Sequence, residues 1–141
     1  MWYFLHPAVI HFPIAWLLLG SALTLVSLRR PDPFVERSAY GALALGWWST
    51  FVAVTTGVVA VALTWPIEPA ELPWINGHAV SGTLVLLVYG RALLLRRRDR
   101  QVLHSAGRRT YLLLLAAGTL LVVLSGWTGG HLVYQLGVGV R

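Results

Sequence analysis

Four long apolar runs, broken by three short polar stretches, account for most of this chain. A membrane-crossing helix takes about 20 consecutive apolar residues. Residues 7–28, 40–65, 74–95 and 111–131 meet that length, so the pattern predicts four transmembrane helices. The residues ahead of the first run, Met-Trp-Tyr-Phe-Leu, carry neither a charged leading region nor a small-residue cleavage site. The first run is therefore read as a retained span and not as a signal peptide. Connections of roughly ten residues join antiparallel neighbours. The expected fold is all-α: an integral membrane four-helix bundle of up-down-up-down topology, forming a single domain over residues 1–141.

Charge orients the bundle. All 11 cationic residues are arginine. Arg29, Arg30 and Arg37 follow the first span, and Arg91, Arg96, Arg97, Arg98, Arg100, Arg108 and Arg109 surround the end of the third. Both groups fall on one side, which the positive-inside rule makes cytoplasmic, with both termini outside. Glu68, Glu71 and Arg141 lie on the opposite side. Trp2, Trp65, Trp74 and Trp127 fall near that outer interface, as an aromatic belt does. The location implied is a cell inner or plasma membrane, crossed several times, with the lipid bilayer as the main partner.

Composition narrows the chemistry. The chain is 57% hydrophobic and only 11% charged, far from the roughly 25% charged residues of soluble domains. A net charge of +6 alone points to nucleic acid, but arginines confined to the span ends are an orientation signal, so no nucleic acid is expected. The absence of cysteine removes disulfides, iron–sulfur ligation and thioether-attached haem. Histidine is left as the strong borderline ligand.

Four of the five histidines, His6, His11, His78 and His131, gather at the outer end once the spans are threaded antiparallel. Ionisable groups near hydrocarbon are costly, and several converging there mark a site. His6 precedes Pro7 and is placed just outside the first helix. His11 lies about 7.5 Å further along the axis and roughly 140° around it, so the two cannot share a face. Pro13 cannot donate to the Val9 carbonyl, and the helix is expected to bend beside His11. With Asn76 as the helix cap, His78 falls in the first turn of the third span. His131 follows Gly129 and Gly130 at the end of the fourth. His104, among the loop arginines, reads as a solvated surface residue.

Two imidazoles facing each other from different helices between flat apolar walls are what haem b needs in a four-helix bundle. His11 and His78 are the expected haem-iron ligands, because both sit inside the helix boundary at similar depth. His6 and His131 form the second pair, as ligands or as partners of the propionates. Gly57, Gly82 and Gly126, in the outer halves of their helices, are expected to wall the site or to serve helix packing. A different metal ion needs three or four donors, for which Glu68 or Glu71 would join the histidines. No HExxH, paired carboxylate or nucleophile elbow is present, so a redox carrier or subunit is expected ahead of a stand-alone enzyme.

The ends of the chain carry a family resemblance. "LHPAVIHFPIAWLL" (Leu5 to Leu18) and "SGWTGGHLVYQLGVGV" (Ser125 to Val140) resemble the predicted four-helix membrane proteins grouped as domain of unknown function 2231. The resemblance covers essentially the whole chain. It implies a four-span membrane fold and, for some relatives, company with cytochromes or redox proteins. By motif it carries over His6, Pro7, His11, His78, Gly129, Gly130 and Tyr134. Two departures stand out: Thr56-Gly57 is followed by Val58-Val59-Ala60 where the family often has an acid, and Leu136 stands where it often has a histidine.

Three functions follow as expectations. The first is a small membrane haem b protein that carries electrons or anchors a redox complex, meeting respiratory or other redox subunits or a periplasmic cytochrome. The second is a cofactor-free structural or assembly subunit. The third is a metal- or quinone-handling membrane protein.

Overall fold

The computed structural model describes residues 5–63 and 67–138, and among these every regular element is helical. Helices α1 (Leu5–Val9) and α2 (His11–Arg29) form the first span; α3 (Pro33–Leu63), α4 (Leu72–Arg98) and α5 (Arg108–Tyr134) form the others. All four spans are long and apolar enough to cross a membrane. A 3-10 turn, Val102–His104, lies in the last connection. Trp2, Trp65 and Arg141, assigned above to the outer interface, lie outside the described residues.

The helices overrun the apolar runs that announce them, for local reasons. The second begins at Pro33, not near Tyr40. The Asp32 carboxylate accepts the Phe34 N–H at 2.7 Å, and Pro33 brings a pre-set backbone angle to the first position. The first connection is thereby only three residues long, Arg30 to Asp32. The third helix starts at Leu72, with Pro73 in its first turn, so Asn76 is a helical residue and not the cap. The fourth runs to Tyr134 and keeps His131 inside it. Beside His11 the chain departs from regular helix at Ile10 alone, which still donates to the His6 carbonyl at 3.1 Å and accepts from the Ile14 N–H at 3.5 Å, while Pro13 leaves the Val9 carbonyl without its helical donor.

Close packing within each helical hairpin comes from glycine. A methyl group on Gly46 would stand 2.6 Å from Leu17 Cδ2 and 2.9 Å from the Leu17 backbone nitrogen; one on Gly20 would stand 2.9 Å from the Leu43 nitrogen. Between helices in lipid, van der Waals contact of this kind replaces the hydrophobic effect as the force for association. Gly46→Ala should therefore lower stability in detergent by about 1–3 kcal/mol, because backbone cannot rotate away as a side chain can. Gly41→Ala should be neutral or slightly stabilising, since no atom lies within 4 Å of its would-be methyl group. Thermal unfolding of the two variants side by side checks this. Equal midpoints would contradict the packing.

The two hairpins repeat one another. Buried Pro13, Leu17, Gly20, Ala39, Leu43, Gly46 and Thr50 match buried Val85, Tyr89, Ala92, Tyr111, Leu115, Gly118 and Val122 at a constant offset of 72 residues. The contacts repeat with the positions. A methyl group on Gly118 would meet Tyr89 Cε2 at 2.6 Å, as one on Gly46 meets Leu17. Both hairpins start at the same end of the bundle, so they relate as parallel repeats about an axis along the membrane normal. Where Leu17 becomes Tyr89, the added hydroxyl finds partners in Ser21 Oγ (3.0 Å) and Thr119 Oγ1 (3.2 Å), as a polar group buried among spans must.

Candidate functional site

His6 sits on α1 inside the helix, not beyond it. This short helix packs on α3. There the His6 Nδ1–H donates to the Ala53 carbonyl at 2.9 Å and lies 3.3 Å from Thr56 Oγ1. The Thr56 hydroxyl donates to the same carbonyl at 2.9 Å, leaving its oxygen lone pairs toward the imidazole.

His78 is held the same way. It stands nearly two turns into α4, and its Nδ1–H donates to the Ser125 carbonyl at 3.0 Å, with Thr128 Oγ1 at 3.3 Å. The Thr128 hydroxyl reaches the Ser125 carbonyl at 3.1 Å and the Leu124 carbonyl at 3.0 Å. The offset of 72 residues thus carries His6 to His78, Ala53 to Ser125 and Thr56 to Thr128. It also carries Gly57 to Gly129. A methyl group there would stand 3.0 Å from His6 Cε1 in the first hairpin and 2.9 Å from His78 Cε1 in the second.

The two rings meet. Their centroids are 6.0 Å apart with the planes at 79°. Equivalent residues of two repeats touch one another only near the axis that relates them, so the imidazole pair marks that axis at the chain-terminal end of the bundle.

Other expected site residues are placed elsewhere. His11, paired with His78 above, is exposed on the outside of α2, and the partner the structure brings to His78 is His6. The physical reason is the angular separation of the two histidines: with His6 turned to α3, His11 faces away. His131 stacks on Trp74, 3.8 Å between ring centroids at 26°, with Trp127 6.2 Å off. Gly57 seats an imidazole and does not form an open wall. Gly82 faces Val54 and Ser125 at ordinary contact distance, and Gly126 faces no atom within 4 Å. Glu68 and Glu71 close a turn on each other, the Glu68 N–H reaching Glu71 Oε2 at 3.2 Å. No group of three or more His, Asp or Glu side chains converges among the described residues. His104 is exposed, 3.4 Å from Glu36 at the arginine end.

Sequence reasoning passed over Thr128 as part of the site. The signal was present: Trp-x-x-x-His, Leu-x-x-Gly and Thr-Gly recur as Trp2–His6 and Trp74–His78, Leu43–Gly46 and Leu115–Gly118, Thr56–Gly57 and Thr128–Gly129.

A family model described as a predicted membrane protein, domain of unknown function 2231, matches residues 4–141. No curated protein and no solved structure matches the chain.

Proposed function

We propose, for a chain that belongs to the domain of unknown function 2231 family of predicted membrane proteins, that this bundle is a small membrane haem b protein in which His6 and His78 would hold the iron, carrying electrons or anchoring a redox complex. The observation that carries this reading is the equivalent seating of the two imidazoles. With each Nδ1–H engaged by a carbonyl, the neutral ring keeps its lone pair on Nε2. Such a partner fixes the tautomer and orientation of a metal-binding histidine. The two rings, 6.0 Å apart between centroids, come from different hairpins and would both be offered to one iron. Two imidazoles would suffice to hold a haem iron, while a tetrahedral ion calls for three or four donors.

Haem bound in this way supplies reversible one-electron transfer. The chain's own residues do the positioning: Ala53 and Ser125 orient the rings, Thr56 and Thr128 support them, and Gly57 and Gly129 leave them room. Absorbance of the purified protein tests the reading. A Soret band with sharp α and β bands on reduction supports it, and a colourless protein produced with haem in supply overturns it.

A structural or assembly subunit is the second reading, favoured by the fact that both Nδ1 groups are satisfied inside the bundle. The imidazoles then serve only to tie α1 to α3 and α4 to α5.

By the positive-inside rule we read the imidazole end, and both termini, as lying outside a plasma or inner membrane. Ala70→Cys should be labelled by an impermeant thiol reagent in intact cells and Ser38→Cys only after lysis. The reverse pattern would move the site to the cytoplasmic face.

A further inference from the structure

At the end of the bundle opposite the imidazoles, Glu36, Arg37 and Tyr40 on the first turns of α3 and Arg96, Arg97 and Arg100 around the end of α4 line a recess of about 610 Å³. Four guanidinium groups meet a single carboxylate there. That carboxylate is already engaged: Glu36 accepts Arg96 Nη2 at 2.9 Å and faces His104 Nε2 at 3.4 Å. Arg37, Arg97 and Arg100 form no ion pair among the described residues. Arg96 is the telling one. Its side chain is only 12% exposed, and its Nη1 is the one buried side-chain nitrogen or oxygen without a partner among the described residues.

An unsatisfied buried donor on a cation is costly. Membrane orientation does not call for it, because exposed loop arginines serve that rule. The fold does not call for it either. At the equivalent positions of the first hairpin, 72 residues earlier, Arg96, Arg97 and Arg100 are replaced by Thr24, Leu25 and Leu28, and Thr24 is buried there with its hydroxyl on the Gly20 carbonyl. Arg96, Arg97 and Arg100 are thus a feature of the second hairpin alone.

We infer that this recess binds the phosphate of an anionic phospholipid headgroup. The planar, forked guanidinium matches phosphate oxygens two at a time. Basic recesses between membrane helices at their cytoplasmic ends are suited to anionic headgroups. A lipid is favoured over free phosphate because the recess opens where apolar spans end, with Phe34 68% exposed on the same turn of α3 as Glu36 and Arg37.

Native mass spectrometry of delipidated protein in detergent tests the inference, with phosphatidylglycerol, phosphatidylcholine and inorganic phosphate added separately. Phosphatidylglycerol should bind roughly tenfold or more tighter than phosphatidylcholine. Arg37→Gln with Arg100→Gln should remove that preference; both residues are exposed, so the bundle should keep its helicity and unfolding midpoint. Arg29→Gln with Arg30→Gln, equal in charge but outside the recess, should preserve the preference. Equal binding of the two lipids, or an equal loss in both double variants, overturns the site. Displacement of phosphatidylglycerol by millimolar phosphate reassigns the recess to the free anion and overturns the lipid assignment.

Discussion

His6→Ala and His78→Ala should each abolish a low-spin haem spectrum, leaving a high-spin or empty site. On the haem reading, removing one imidazole would leave the iron without a replacement, since the chain has no cysteine and its single methionine is Met1. His11→Ala and His104→Ala should leave the spectrum intact, because both side chains are exposed away from the pair. His131→Ala should also keep it, at a stability cost of about 0.5–1.5 kcal/mol for the lost stack on Trp74. Absorbance and paramagnetic resonance of the five variants check the set. The structural-subunit reading makes a different forecast: His6→Ala and His78→Ala would then lower stability alone, by about 1–3 kcal/mol for the stranded carbonyl and the space left behind. Loss of the spectrum in His11→Ala with retention in His6→Ala would restore the pairing expected from sequence.

Gly57→Leu and Gly129→Leu should reduce cofactor occupancy about 10- to 100-fold, the scale on which residues that orient a ligand act. The added side chain meets the imidazole itself, at 3.0 Å in one hairpin and 2.9 Å in the other. The ring must leave the carbonyl that aligns it. Gly126→Ala and Gly82→Ala are the controls, since neither would-be methyl group approaches another atom closer than 3.8 Å. Haem titration of the apoprotein followed by absorbance measures the four. If Gly57→Leu binds as tightly as the unaltered chain, His6 is not seated where the structure has it.

Apolar run length was enough to read the four spans, because in lipid nearly every position of a helix is allowed to be greasy and the signal is long. Helix ends were not, because they follow from single capping events such as the Asp32 carboxylate on Phe34, which lie beyond the apolar run. The convergence of histidines at one end was legible from span polarity. Which of them pair was not. Depth along an ideal helix favoured His11, but His6 and His11 lie roughly 140° apart around it, and rotation rather than depth decides which ring enters the bundle. A recurrence at an offset of 72 residues would have selected His6, whose counterpart is His78, over His11, whose counterpart is Thr83. It is a weak signal by eye, since most matched positions differ in identity and agree only in burial.

The division into two equivalent hairpins also has a mechanical consequence. Each hairpin is stitched along its length by its own glycines, while the imidazoles face each other across the seam between hairpins. A ligand gripped by both rings would act as a rivet through that seam. Its affinity would then appear as resistance to the halves sliding or splaying, by the linkage through which anything bound only by the assembled state stabilises it. Emptying the site should loosen the seam first and leave each hairpin intact, so hydrogen exchange would rise along the α3–α4 and α2–α5 contacts while the Leu17–Gly46 and Tyr89–Gly118 contacts stay protected.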